Sequence, residues 1–144
     1  MTPAHRSVIA FAALLGAAAS QADCVPAGVE PSPTAVVDAQ FKAYNAHDVE
    51  AFANCYANDV RMSYLDGKHP DIVGRDAIRK TFAYLAHAPK EQGVTLVHRI
   101  VTGPTVIDQE HVVGLPSGKS LPDLSAIYEV RDGLIVKVWF PPAK

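Results

Sequence analysis

The stretch VTLVHRIVTGPTVIDQEHVVG, residues 94–114, decides how this chain folds. Two runs rich in Val, Ile and Thr flank Gly103-Pro104, which predicts one long β-hairpin closed by a two-residue turn. With that turn, Thr102 pairs with Thr105, Arg99 faces Asp108 and His98 faces Gln109. Side chains alternate along a strand. Val97, Arg99, Val101, Val106, Asp108, Glu110 and Val112 are then expected on one face, and Leu96, His98, Ile100, Ile107, Gln109, His111 and Val113 on the other. Both faces are largely apolar, so both are expected to be covered, one by helices of the same chain and the other by a second subunit. Charged groups among buried apolar ones mark the place where a pocket can form.

Outward from the hairpin, the rest of the chain supplies those helices. Thr34 after Pro33 is expected to N-cap a first helix with Val37, Phe41 and Tyr44 as its stripe. Asn45 to Asp48 break it. Asp48 caps a second helix whose face is Val49, Phe52, Ala53 and Tyr56, ending at Asn58-Asp59. A short strand, Val60 to Leu65, a turn at Asp66-Gly67-Lys68 and an extended piece at Asp71 to Val73 follow. A third helix is expected from about Arg75 to His87, stopped by Pro89. After the long hairpin, a second one turns at Asp132-Gly133. Helix, helix, strand, helix and then four strands argue for an α+β domain, an antiparallel sheet with helices on one face.

The chain has 144 residues, enough for one domain, and a formal net charge of −2, which leaves no basic footprint for nucleic acid. Residues 1–22 read as a secretory signal peptide: Arg6, then an apolar run from Val8 to Ala19, then Ser20-Gln21-Ala22 with small residues at the −3 and −1 positions. The run is shorter than the ~20 residues of a membrane span. Asp23 stands where a lipoprotein signal needs a small residue. The expectation is an exported protein, secreted or periplasmic, cleaved near Ala22 and free of the membrane after processing. Residues 23–33 form an extended arm, 34–140 the domain and 141–144 a tail. Export to an oxidising compartment opens two states for the pair Cys24 and Cys55: a disulfide pinning the arm to the second helix, or two free thiols.

The segments YNAHDVEAFANCYANDVRMSYLDG, GRDAIRKTF, HRIVTGPTVIDQEHV and IYEVRDGLIVKVWF, taken in order and spacing, resemble the nuclear-transport-factor-2-like superfamily. More closely they resemble its SnoaL-like branch, much of it called steroid delta-isomerase-like. The resemblance spans roughly residues 34 to 140. It implies a cone of three N-terminal helices on a curved antiparallel sheet, a pocket between them, and dimerisation through the sheet. The superfamily hosts isomerases, hydrolases, dehydratases, cyclases and binding subunits, so the fold alone assigns no activity.

Ketosteroid isomerase chemistry needs a carboxylate to move a proton and two donors to hold an enolate oxygen. Carried over residue by residue, the base falls on Tyr64, the Tyr donor on Gln40 and the second Asp on Ala126; none matches. Tyr44 lies one helical turn beyond Gln40, and Asp66 two residues beyond Tyr64. The hairpin offers its own acid/base candidates, Asp108 and Glu110 on one face with Arg99 across from Asp108. The same three residues also fit an ordinary cross-strand ion pair or a contact across a dimer. Tyr44, Tyr64, His98, Arg99 and Trp139 are the expected pocket-lining residues. His98 and His111 share a face but lack a third ligand, so no metal is expected. No Gly-rich phosphate loop or nucleophile elbow is present, so no cofactor is expected. Two readings remain: a small-molecule enzyme, isomerase-like, moving a proton through Asp108 or Glu110, and a non-catalytic domain that binds a small apolar ligand or a protein partner.

Overall fold

A computed structural model describes residues 24–143. The leader expected at residues 1–22 lies outside the described residues. The elements run α1 (Pro33–Asn45), α2 (Val49–Asn54), β1 (Tyr56–Tyr64), β2 (Ile72–Val73), α3 (Arg75–Thr81), a 3-10 turn (Ala83–His87), β3 (Gly93–Thr102), β4 (Thr105–Val113), β5 (Leu124–Arg131) and β6 (Leu134–Phe140). One six-stranded sheet has the order β2-β1-β6-β5-β4-β3. Every neighbouring pair is antiparallel except β1 and β6, which run parallel. The sheet is therefore mixed: β1 pairs with its sequence neighbour β2 on one side and with β6, from the far end of the chain, on the other.

The long hairpin closes as its sequence predicts. Thr102 pairs with Thr105, Arg99 with Asp108 and His98 with Gln109. Gly103 takes φ +55 in the turn, a conformation only glycine adopts freely. The expected faces fail toward the start of β3. Leu96 pairs with Glu110 while His98 pairs with Gln109, so Val97 is the extra residue of a β-bulge. Val97 leaves the predicted inner row and Leu96 enters it.

Three helix boundaries also differ from expectation. Ser32, not Thr34, N-caps α1, its Oγ accepting from Ala35 N–H at 3.2 Å. Pro33 explains the shift, because a proline lacks an N–H and its fixed φ suits the first helical position. Asp48 caps α2 as expected, accepting from Ala51 N–H at 2.9 Å. That helix, however, stops at Asn54. The Cys55 carbonyl accepts from Ile135 N–H at 2.8 Å and Tyr56 pairs with Ile135, so the sheet captures Tyr56 that helical spacing assigned to α2. The third helix likewise loosens into the 3-10 turn after Phe82.

The core lies between the helices and the inner sheet face. Val36 and Val37 of α1, Phe52 of α2, Val60 and Met62 of β1, Ile78 of α3 and Val106, Ile135 and Val138 of the sheet are buried there. Asn45 fixes the end of α1 to the start of β3: its Oδ1 accepts from Val94 N–H at 2.8 Å and its Nδ2 donates to Val94 O at 3.0 Å. No helix among the described residues is long and apolar enough to cross a membrane.

Cys24 and Cys55 form a disulfide, resolving the open alternative in favour of the bridge. It closes a loop of 31 residues and holds the arm so that Val25 joins the core. Loop closure of that length stabilises by about 3–4 kcal/mol in the chain-entropy account. A Cys24→Ser, Cys55→Ser variant should lose about that much in urea unfolding, and wild type should behave like it only in the presence of reductant.

Candidate functional site

A cavity of about 330 Å³ opens between the helices and the inner sheet face. Its position follows from the elements. Gln40 and Phe41 come from one turn of α1 and Tyr44 from the next, and Met62 and Tyr64 from alternate positions of β1. Glu110 and Val112 come from β4, and Leu124 and Tyr128 from β5. Phe140 stacks on Tyr64 with ring centroids 5.1 Å apart. Phe52 and Phe82 meet at 4.8 Å on the helical wall. Pro141, Pro142 and Ala143, expected only as a tail, complete one side.

Glu110 is the group with chemistry at the sheet wall. Its side chain is 6% exposed, and one carboxylate oxygen accepts the Tyr128 hydroxyl at 3.2 Å. Burial pushes its pKa from 4.5 up to about 7; the neighbouring Asp108 charge adds to this, while the Tyr128 hydrogen bond and Arg99 oppose it. The folded protein therefore keeps a proton that the unfolded chain releases from about pH 4.5 upward. Stability is undiminished below that pH, falls as pH rises toward 7, and levels off above, for a loss of about 3 kcal/mol. Urea unfolding at about pH 5 and about pH 8 should show this loss in wild type and not in Glu110→Gln, which has no proton to lose.

Asp108 has a different setting. It is 0% exposed and held bidentately by Arg99, at 2.6 and 2.7 Å. Arg99 also donates to Asp38 of α1 at 2.5 Å, so one guanidinium ties helix to sheet between two carboxylates. Neither Asp108 nor Arg99 lines the cavity. The cross-strand ion pair anticipated from the sequence is thus formed beside the cavity rather than in it.

Of the remaining expected residues, Tyr44 and Tyr64 line the cavity. The Tyr44 hydroxyl lies 3.2 Å from that of Tyr84. Burial raises the pKa of both Tyr44 and Tyr64, so both stay protonated near neutrality. His98 is exposed, and Trp139 pairs with Ile127 and Ser63 on the outer sheet face. Asp66 reaches the cavity mouth, where its Oδ1 accepts from Lys68 N–H at 2.9 Å and its Oδ2 meets His69 Nδ1 at 2.7 Å. Those bonds, the Lys68 N–H foremost, lower its pKa and keep it ionised. Gln40 is a wall residue that donates to the Tyr56 hydroxyl at 3.0 Å, and its own Oε1 is buried without a partner. Among the described residues, no group of three or more His, Cys, Asp or Glu is arranged to hold a metal.

A helical layer over one face of this sheet, with a cavity between them, defines a nuclear-transport-factor-2-like α+β protein. Within that class the profile of the SnoaL-like domain matches residues 37–138, and the chain belongs to the SnoaL-like family. No curated protein matches it in sequence. Among solved structures it is similar to a candidate polyketide cyclase from Sinorhizobium meliloti (20% identity, 73% of this chain and 92% of that one, TM-score 0.61). It is similar also to a candidate ketosteroid isomerase from Kribbella flavida (23% identity, 78% and 79% covered, TM-score 0.62). A de novo designed protein with a curved β-sheet is as close in shape (19% identity, 76% and 83% covered, TM-score 0.61). At such identities the likeness shows the fold alone, and any activity must be argued from the cavity.

Proposed function

We propose that the protein is a small-molecule enzyme, isomerase-like, in which Glu110 moves a proton to or from an apolar substrate held in the cavity. One observation carries the reading: Glu110 is a carboxyl buried on the cavity wall beside the Tyr128 hydroxyl, and that burial pushes its pKa up to about 7, the range in which a group both accepts and returns protons. Tyr64, lining the same cavity from β1, supplies a hydroxyl donor. Asp108 and Arg99 act by holding the sheet beside Glu110, not by touching substrate. The Cys24–Cys55 bridge together with the leader-like residues 1–22 supports a place outside the reducing cytoplasm.

The test is deuterium uptake. The protein is incubated in deuterated buffer with a panel of cyclic ketones, unsaturated ketones and aminoketones, and exchange next to the carbonyl is followed by NMR. Catalysed exchange that Glu110→Gln removes supports the reading. Binding without exchange by any member would instead make the cavity a ligand carrier, the reading favoured by the mismatch at Tyr64, Gln40 and Ala126.

A further inference from the structure

The cavity's lining is one-sided in charge. Two carboxyl groups border it, Glu110 within and Asp66 at the mouth, and among the described residues no lysine, arginine or histidine lines it. The guanidinium beside Glu110, Arg99, is already matched by Asp38 and Asp108, so the three groups together carry one negative charge; Arg75, behind the wall, donates to the Tyr56 carbonyl at 2.6 Å. The rest of the wall is largely aromatic: eight rings line a space of about 330 Å³, among them Phe41, Tyr44, Phe52, Tyr64, Phe82 and Phe140.

Each of these features repels an anion and attracts a cation. An aromatic face carries the negative part of the ring quadrupole and stabilises an ammonium group, more strongly once water is displaced. A carboxylate within the cavity supplies a counter-charge and charge-assisted hydrogen bonds. A fixed carboxylate at the mouth raises the local concentration of cations during entry. We infer that the ligand of this cavity is a small apolar organic cation, a protonated amine on an aryl or hydrocarbon skeleton. This rests on the reading of the cavity as the functional site and names the substrate class for it.

The ammonium would sit against Glu110 with the skeleton among the rings. Binding then draws Glu110 to its ionised form, so the amine binds more tightly as pH rises through about 7. The groups facing Glu110 are Tyr128 from β5, Asp108 on its own strand, Arg99 from β3, Tyr56 from β1 and Tyr44 from α1. Burial raises all three tyrosines, leaving them neutral across that range, and Arg99 stays charged. Glu110 is thus the titrating group inside the cavity, while at the mouth His69 pairs with Asp66 at 2.7 Å.

The test is calorimetric titration with three probes of one skeleton: phenethylamine, phenethyl alcohol and phenylacetate, each in a single ionisation state from about pH 6 to about pH 8. The amine should bind about tenfold or more tightly than the alcohol at the higher pH, and the anion should show no measurable binding. Glu110→Gln should bring the amine down to the alcohol and flatten its pH dependence. Asp66→Asn, at the solvated mouth, should weaken the amine severalfold and leave the alcohol unchanged. Alcohol or anion binding as tight as the amine, with Glu110→Gln still altering it, overturns the cation assignment and leaves the cavity as the site. Failure of all three probes to bind wild type overturns both readings together.

Discussion

Replacing Glu110 with Gln lowers substrate deuterium exchange by a hundredfold or more. Positioned acid–base groups typically contribute ~10²–10⁴ in rate, and Gln removes the proton acceptor while keeping side-chain size. Its amide oxygen still accepts the Tyr128 hydroxyl, which now bonds Glu110 at 3.2 Å, so the wall is not left with an orphaned donor. In wild type the exchange rate should climb with pH and level off above about 7 as the carboxyl ionises. Tyr128→Phe should move that midpoint upward, since the tyrosine hydrogen bond is one of the two influences that lower the Glu110 pKa. The pH profiles of the three proteins check the assignment. A Glu110→Gln enzyme with wild-type exchange would remove Glu110 from the reaction.

Replacing Arg99 with Met destabilises the fold by about 3–5 kcal/mol, the usual consequence of stripping one partner from a buried ion pair. Asp108 is fully buried and both its oxygens are held by Arg99, so the variant strands a carboxylate in the core. It also cuts the link from Arg99 to Asp38 on α1. Asp38 is largely exposed, and that bond adds little. The double variant Arg99→Met, Asp108→Leu should recover much of the loss, because both charges are then gone. Urea unfolding of the two proteins checks this. If Arg99→Met alone costs less than about 1 kcal/mol, the pair is not the anchor described.

The hairpin was readable because its turn is local. Gly103-Pro104 sets the register, and register dictates that Arg99 meets Asp108 and that Val106, Asp108 and Glu110 point the same way. The bulge at Val97 was not readable, because an extra residue leaves no trace in an apolar run such as Leu96-Val97. Tyr56 misled for a related reason. Its spacing from Phe52 suits a helix, yet pairing with Ile135 from the far end of the chain overrides that preference. Trp139 invited a pocket assignment by its size, but strict alternation from Phe140 and Val138 sends it to the outer face. The parallel β1–β6 pair and the contribution of Pro141, Pro142 and Ala143 depend on where the last strand ends in space. Asp108 and Glu110 looked equivalent in sequence. What separates them is Arg99, which holds one as an ion pair and leaves the other on the cavity wall.

The difference between the two carboxyls is measurable directly. Carboxyl-carbon NMR of protein labelled at glutamate, with Glu110→Gln to assign the signal, follows the titration of this one group. The expected result is a midpoint near 7 that moves when a cavity ligand is added. A midpoint near 4.5, unmoved by ligand, would mean that Glu110 is an ordinary carboxylate and that the cavity holds no acid–base group.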